Sequence, residues 1–309
     1  ENIGIITLGI GCGLLGSASG NASMAVFGFA GAVFHVLNHA LFKSLLFLGA
    51  GNVVHAVRVR DIELGGLAKS MPWTAATFLT GSAAISGLPP FNGFVSEFLI
   101  YTAAILGILN AKSALLLGAS LTVIVSLALI GGLAAACFAK AYGIMFLGEP
   151  RSDHARHAHE ASFSMVAPMV VLALACLGVG VGGIYLLPYL ARAIAPLAPV
   201  DTRTTIEFSA AFLYTFLWKI PLVAAGILVL TLVLLLLRGL LLRGRELRDA
   251  VTWDCGYAAP TPRMQYTASS FADPILRMFA PVMGTRRDFE PPSGTFPASA
   301  TRFLSDNAS

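Results

Sequence analysis

The sequence predicts an all-α fold: a polytopic transmembrane helical bundle of about six spans, with one discontinuous helix broken at Pro89–Pro90. The 309-residue chain has a mean hydropathy of +0.78 and only 12% charged residues, against about 25% in a soluble domain. It also contains long apolar runs with few charges, which are typical of membrane spans. The run "PLVAAGILVLTLVLLLL" shows no polar–apolar alternation, which a transmembrane β-barrel would require.

Six apolar segments give the order of the predicted spans. They lie at about 2–18, 24–56, 74–110, 113–147, 163–187 and 212–237. About 20 helical residues cross the hydrocarbon core, so the longest segments must tilt, protrude or break. We predict a transmembrane domain over 1–237 and a cytoplasmic, partly disordered tail over 238–309, with loop composition from about Phe289.

The third segment contains a strong helix breaker, "SGLPPFNGF". Pro89 and Pro90 remove two amide donors, and Gly87 and Gly93 loosen the backbone on either side. Two interpretations are open: two helices joined by a surface turn, or one discontinuous helix whose elbow lies at membrane depth. Such an elbow is tolerated only when it is buried in protein or lines a wet cavity. Glu97, just past the elbow, favours the discontinuous helix.

The distribution of Lys and Arg also favours a single crossing by segment 74–110. With that crossing, one side of the membrane holds Arg58, Arg60, Lys69, Arg151, Arg156, Arg238, Arg243, Arg245 and Arg248. The other side holds Lys112, Arg192 and Arg203. Cytoplasmic loops carry the excess of basic residues. We therefore expect a multi-pass protein of the cell (inner) membrane whose C-terminal tail is cytoplasmic.

Ionisable residues inside the apolar segments are the candidate functional groups, because such residues are rare in membrane spans and are functional by default. His35, His39 and Lys43 are spaced four apart, so a helix places them along one side. Glu97 lies near the middle of the broken segment. Histidine titrates near neutral pH. We predict a proton relay through these four residues.

Asn38 and Lys140 are possible further members of the relay. Asn38 can hold water beside the histidines, and Lys140 lies toward the predicted cytoplasmic end, where its stem can reach the headgroups. Other interpretations remain: the histidines as helix–helix hydrogen-bond donors, and Lys43 as the counterion of a buried acid. A metal site at His35 and His39 lacks a third ligand, and Lys43 would repel a cation.

The sequence predicts no catalytic chemistry and no metal or cofactor in this chain. It contains no nucleophile beside a base, no P-loop, and four scattered Cys without a C-x-x-C pair. The glycine runs "LGIGCGLLG" and "GVGVGG" lie in apolar segments, where they permit close helix packing. His154, His157 and His159 are interpreted as a solvated loop. The mild net charge of +4 does not indicate nucleic-acid binding.

Four stretches carry a resemblance to a known family: "ENIGIITLGIG", "FHVLNHALFKSLLFLGAG", "LGGLAKSMPWTAATFLTGSAAISGLPPFNGFVSEFLIY" and "TWDCGYAAPTPRMQYTASSFADPI". They resemble the antiporter-like membrane subunits of NADH–quinone oxidoreductase, the Mrp cation/proton antiporters and membrane-bound hydrogenases. The tail points to the hydrogenase-4 and formate hydrogenlyase branch. The resemblance covers nearly the whole chain.

The resemblance implies two inverted repeats, each with a discontinuous helix, and a midmembrane line of protonatable groups. By position, Lys43, His35 and His39 match the central relay of the second repeat, and Glu97 matches the ionisable residue at its broken helix. Subunits of this family are about twice as long. The resemblance therefore implies that the first repeat lies in a longer chain or in a partner chain.

The predicted function is that of a proton-translocating, non-catalytic membrane subunit of a membrane-bound hydrogenase or related respiratory complex. The resemblance implies that Fe–S clusters and Ni-Fe lie on partner subunits, membrane and soluble, and that this chain contacts the lipid bilayer. The alternative is a subunit of an Mrp-type cation/proton antiporter without a redox partner. A third interpretation is a scaffold whose ionisable groups are merely paired.

Overall fold

The computed structural model describes residues 1–197, 218–245, 261–290 and 302–307. The chain divides into two compact units, Glu1–Pro262 and Arg263–Ser309. The first unit is a helical bundle, which confirms the predicted all-α membrane fold. Its helices are α1 (Asn2–Ser19), α2 (Ala22–Val57), α3 (Leu67–Ser70), α4 (Pro72–Ile85), α5 (Asn92–Leu109), α6 (Ala114–Phe146), α7 (Asp153–Arg156), α8 (Phe163–Gly182), α9 (Leu187–Ile194) and α10 (Lys219–Leu242).

Within the described residues, six helices are long and apolar enough to cross a membrane. They are α1, α2, α5, α6, α8 with the 3₁₀ turn that extends it to Leu186, and α10. Side-chain caps set some of their starts: Asn21 accepts a hydrogen bond from the amide of Met24, and Ser113 accepts one from the amide of Leu116. Such caps satisfy amides that the first helical turn leaves unpaired.

Helix α2 is the centre of the bundle, and α4 and α5 lie end to end along it. Contacts pair falling numbers on α2 with rising numbers on its neighbours: Asn52 with Thr74, Gly49 with Phe78, Leu46 with Gly81, Asn38 with Asn92, His35 with Ser96, Gly31 with Ile100, and Asn21 with Leu106. This order confirms a single discontinuous helix that runs antiparallel to α2. The interruption covers Ser86–Phe91, as the proline pair predicts.

The apolar core divides into two clusters on either side of the interruption. One joins α1, α2, α5 and α6 around Phe34 and Ile100. The other joins α2, α4, the end of α6 and α8 around Phe42 and Phe78. The stretch of α2 between them carries the buried polar residues His35 and Asn38. A polar layer therefore crosses the bundle at the level of the broken helix.

The loops before α4 and after α6 lie at the same end of the bundle. The amides of Gly65 and Gly66 donate to the carbonyls of Ile144 and Leu147, at 3.0 and 2.9 Å. The side chain of Arg151 pairs with Glu63 at 3.0 Å. Because both loops share one end, segment 74–110 crosses the bundle once, as the Lys and Arg distribution predicts.

Some boundaries differ from the sequence prediction. Helix α10 continues to Leu242 rather than ending near 237, because the leucine-rich run extends past Arg238. Residues 212–217 of the predicted last span lie outside the described residues. Helix α9 follows the fifth span and was not predicted.

The second unit contains helix α11 (Ala268–Met283) and two antiparallel strands, β1 (Thr285–Glu290) and β2 (Arg302–Asn307). The register pairs Thr285 with Asn307 and Glu290 with Arg302. The prediction of loop from Phe289 onward was therefore wrong for the strand residues. Neither strand sequence, "TRRDFE" or "RFLSDN", has the strict alternation that signals a strand.

Candidate functional site

The polar layer is built by hydrogen bonds between α2 and the first turn of α5. The side-chain amide of Asn38 donates to the carbonyl of Asn92 at 2.8 Å and to Ser96 Oγ at 2.9 Å. The amide of Asn92 returns a bond to Asn38 Oδ1 at 3.2 Å. Asn38 therefore ties the first turn of α5 to the middle of α2.

The break itself is packed tightly between backbones. Gly180 of α8 lies against the carbonyl of Pro90, and Gly93 lies against the carbonyl of Ala84. A side chain at either glycine would overlap these oxygen atoms. One side of the elbow is thus packed against protein, while Leu88 and Pro89 on its other side are exposed. The predicted role of "GVGVGG" in close packing is confirmed at Gly180.

Of His35, His39 and Lys43, only His35 is fully buried. Its Nδ1 lies 2.9 Å from Ser96 Oγ and its Nε2 lies 3.2 Å from Asn2 Oδ1 of α1. His39 is half-buried, with its ring edge-on to Phe42. The ammonium of the half-buried Lys43 lies 5.5 Å from the centre of the Phe47 ring. The spacing of His35, His39 and Lys43 predicted that they share one side of α2. It did not predict that they differ in burial and in contacts.

Glu97 is enclosed at the break without a donor. Its side chain is only 9% exposed, and within the described part of the chain no hydrogen bond or ion pair reaches it. Its carboxyl group rests on Gly87, where an added Cβ would lie 2.6 Å from Glu97 Oε2. Gly87 also has a φ of +63°, a conformation that side chains rarely adopt. The positive φ therefore favours glycine there, and a larger residue would also displace the Glu97 carboxyl group.

An electrostatic series links the buried and half-buried groups. His35 interacts with His39, and His39 with Lys43. Glu1, at the start of α1, interacts with both Lys43 and Glu97. Sequence analysis identified the motif containing Glu1 but did not assign it a role. Glu1 itself is exposed at the start of α1.

The remaining candidates occupy less central positions. Lys140 is half-buried near the loop-side end of α6, where its stem can reach the boundary of the bilayer. His154, His157 and His159 are exposed on the loop before α8. Within the described ranges, no group of three or more His, Cys, Asp or Glu side chains is placed to hold a metal. The relay role of Lys140 stays a prediction.

A second polar cluster, which the sequence did not reveal, fixes the start of α4. Glu160 accepts hydrogen bonds from the amides of Trp73 and Thr74, at 2.8 and 3.3 Å, and from the Thr74 hydroxyl at 2.6 Å. Asn52 of α2 donates to the same hydroxyl at 3.4 Å. A carboxylate at a helix start satisfies unpaired amides and complements the helix dipole. Glu160 therefore caps the first half of the broken helix from a distant loop.

Replacing Glu160 with alanine is expected to destabilise the bundle by about 1–2 kcal/mol, the usual cost of losing a helix cap. Thermal unfolding of the purified protein measures this change. The matched control is Glu149→Ala, which removes an exposed ion pair with Lys69 and should cost about 0–1 kcal/mol. Equal losses in the two variants would show that the cap on α4 contributes nothing specific.

The comparisons with known proteins agree with this architecture. Residues 11–126 match the family described as "NADH:quinone oxidoreductase/Mrp antiporter, TM". The chain is 40% identical to formate hydrogenlyase subunit 3 of Escherichia coli (strain K12) over 296 residues, 95% of this chain and 46% of that protein. It is 36% identical to hydrogenase-4 component B of the same organism over 301 residues, 94% of this chain and 44% of that protein. The chain thus spans about half the length of these relatives.

A solved structure supports the fold. The structure of the membrane-bound sulfane sulfur reductase (MBS), an archaeal respiratory membrane complex, contains a chain that aligns with a TM-score of 0.55. The alignment covers 92% of this chain and 47% of that chain, at 21% sequence identity. At this identity the likeness concerns the helical architecture alone.

Proposed function

Residues 11–126 match the transmembrane domain of the NADH:quinone oxidoreductase and Mrp antiporter family, and we propose from this that the chain translocates protons. It would do so as a membrane subunit of a hydrogenase-type complex. His35, His39, Lys43 and Glu97 carry the protons. Redox chemistry takes place on partner subunits, where Fe–S clusters and Ni-Fe are expected. Two relatives that cover nearly the whole chain, a formate hydrogenlyase subunit and a hydrogenase-4 component, support this assignment over other branches.

The observation that carries the proposal is a set of ionisable groups beside a helix break that are not neutralised by one another. In the described residues, Lys43 makes no ion pair and Glu97 has no donor. A purely structural pair would place the two charges in contact, because an unpaired buried charge is costly. Groups held apart within electrostatic reach can exchange protons through intervening water. This separation argues against the scaffold interpretation.

Glu97→Gln is the direct test of the proposal. The amide keeps the shape of the side chain but cannot carry a proton, so we expect proton translocation to fall by about a hundredfold, the scale of positioned proton-transfer groups. The measurement uses the complete complex in liposomes with an entrapped pH dye, and follows proton movement and hydrogen evolution together. Glu63→Gln, at the loop-side end, is the matched control and should leave translocation unchanged.

The same liposomes separate this function from an Mrp-type antiporter. A hydrogenase-type subunit moves protons when the redox reaction runs and without an imposed sodium or potassium gradient. An antiporter moves protons in response to that gradient alone. Full translocation by the Glu97→Gln complex would instead favour the scaffold interpretation.

A further inference from the structure

Ser96, on the first turn of α5, has an unusual set of hydrogen-bond partners. Its Oγ lies 2.9 Å from His35 Nδ1 and 3.1 Å from the carbonyl of Gly93, and it accepts a bond from Asn38 Nδ2 at 2.9 Å. All of these side chains are buried. A hydroxyl has a single proton to donate. Because the Asn38 amide already occupies one acceptor position, that proton must point either to His35 or to Gly93.

The protonation of His35 decides between the two directions. Its Nε2 faces Asn2 Oδ1, an acceptor, so Nε2 carries a hydrogen. Neutral His35 then has a bare Nδ1 that accepts from the Ser96 hydroxyl. Protonated His35 carries a second hydrogen on Nδ1 and donates to Ser96 Oγ. The hydroxyl of Ser96 must then turn to the carbonyl of Gly93.

The second direction reaches the residue at the break. In an α-helix the carbonyl of Gly93 accepts the amide of the residue four positions later, which is Glu97. A Ser96 hydroxyl that donates to Gly93 therefore shares this acceptor with the Glu97 amide. Hydrogen bonds that share an acceptor, or that follow one another in a chain, influence each other's strength in a low-dielectric interior. The charge state of His35 is thus transmitted to the backbone bond that holds Glu97.

We propose that Ser96 is a hydrogen-bond switch that links the protonation of His35 on α2 to the first turn of the broken helix. Ser96 is a positioning residue: it fixes the tautomer of neutral His35 and reverses its own hydroxyl when His35 gains a proton. The ionisable group that acts on His35 is His39, one turn further along α2, and Glu97 follows Ser96 directly on α5. The switch rests on the proposed proton translocation and specifies how one of its steps is coupled to α5.

The switch is tested in the complete complex in liposomes with Ser96→Ala and Ser96→Thr. A hydrogen bond to a charged group contributes about 1.5–3 kcal/mol, so Ser96→Ala should lower translocation by about tenfold or more. Ser96→Thr restores the hydroxyl and should recover translocation to within about twofold. Ser82→Ala is the matched control, because the buried Ser82 hydroxyl donates to the carbonyl of Phe78 on its own helix. It should leave translocation unchanged.

Infrared spectroscopy provides a readout that a merely structural role would not move. Ser96→Cys places an S–H group at the same position. Its stretching band is obtained by subtracting the spectrum of the native complex, because the free thiols of Cys12, Cys137 and Cys176 absorb in the same window. As the pH is lowered through the titration of His35, we expect this band to shift with the histidine ring bands. The shift should be absent when His35→Gln is added. A band that does not shift overturns the switch, whether or not Ser96→Ala assembles.

The outcomes separate this inference from the proposed function. A wild-type complex that evolves hydrogen without moving protons contradicts the proposed function. A wild-type complex that translocates protons, while Ser96→Ala translocates equally well, contradicts the switch alone. Loss of translocation in both Ser96→Ala and Ser96→Thr, with normal assembly, also contradicts the switch, because the hydroxyl then does not suffice.

Discussion

Replacing Lys43 with alanine is expected to lower proton translocation by about a hundredfold or more, with normal assembly of the complex. Lys43 follows His39 by one turn on α2 and its charge acts on His39, whereas a methyl group cannot carry a proton. Positioned proton-transfer groups contribute about 10²–10⁴-fold to a rate. The measurement compares proton movement with hydrogen evolution in liposomes that contain the complete complex.

Lys43→Arg distinguishes a proton carrier from a fixed positive charge. Arginine keeps the charge but does not release its proton in proteins, so we expect translocation to remain as low as in the alanine variant. Lys69→Ala is the control, since Lys69 is exposed and pairs with Glu149 on a loop. Recovery of translocation by arginine would show that Lys43 acts through its field alone. Undiminished translocation in Lys43→Ala would remove Lys43 from the path.

Gly180→Ala is expected to destabilise the bundle by about 2–3 kcal/mol, at the upper end of overpacking costs. The added Cβ would overlap the carbonyl of Pro90, and neither atom belongs to a side chain that could turn away. The backbone of α8 or the broken helix must shift. Thermal unfolding of the purified protein measures the stability, and translocation in liposomes should fall with it as the break loses its geometry.

Gly178→Ala, two residues earlier on the same helix, is the matched control. An added Cβ at Gly178 meets open space within 4 Å, and alanine is the better helix former by about 1 kcal/mol. This variant should be as stable as the native chain or slightly more stable. Equal unfolding temperatures for the two alanine variants would mean that α8 does not pack closely on the break.

The sequence predicted the spans and the break because both depend on local chemistry. Hydropathy alone identifies a helix that must sit in lipid, and a Pro89–Pro90 pair cannot continue an α-helix whatever surrounds it. The common side of His35, His39 and Lys43 follows from helical periodicity in the same way. These features need no knowledge of which helices are neighbours.

The partners of the site residues could not be predicted from the sequence. Ser96 and Asn2 are single small polar residues in apolar helices, and no local pattern distinguishes a residue that faces His35 from one that faces lipid. Glu160 lies in a polar loop, where a carboxylate is ordinary. Its contact with Thr74 spans 86 positions. Such contacts depend on how helices are arranged, which periodicity does not encode.

The alignment of α4 and α5 along α2 has a mechanical consequence. Helix α2 is continuous at the level where α4 and α5 are interrupted, so it supports the two half-helices across the break. Helix α2 also carries His35, His39 and Lys43, and Asn38 bonds it to the start of α5 at the same level. Any tilt or sliding of α2 displaces these three side chains and shifts the break between α4 and α5 in the same movement. The positions of these ionisable groups and the angle between α4 and α5 therefore change together.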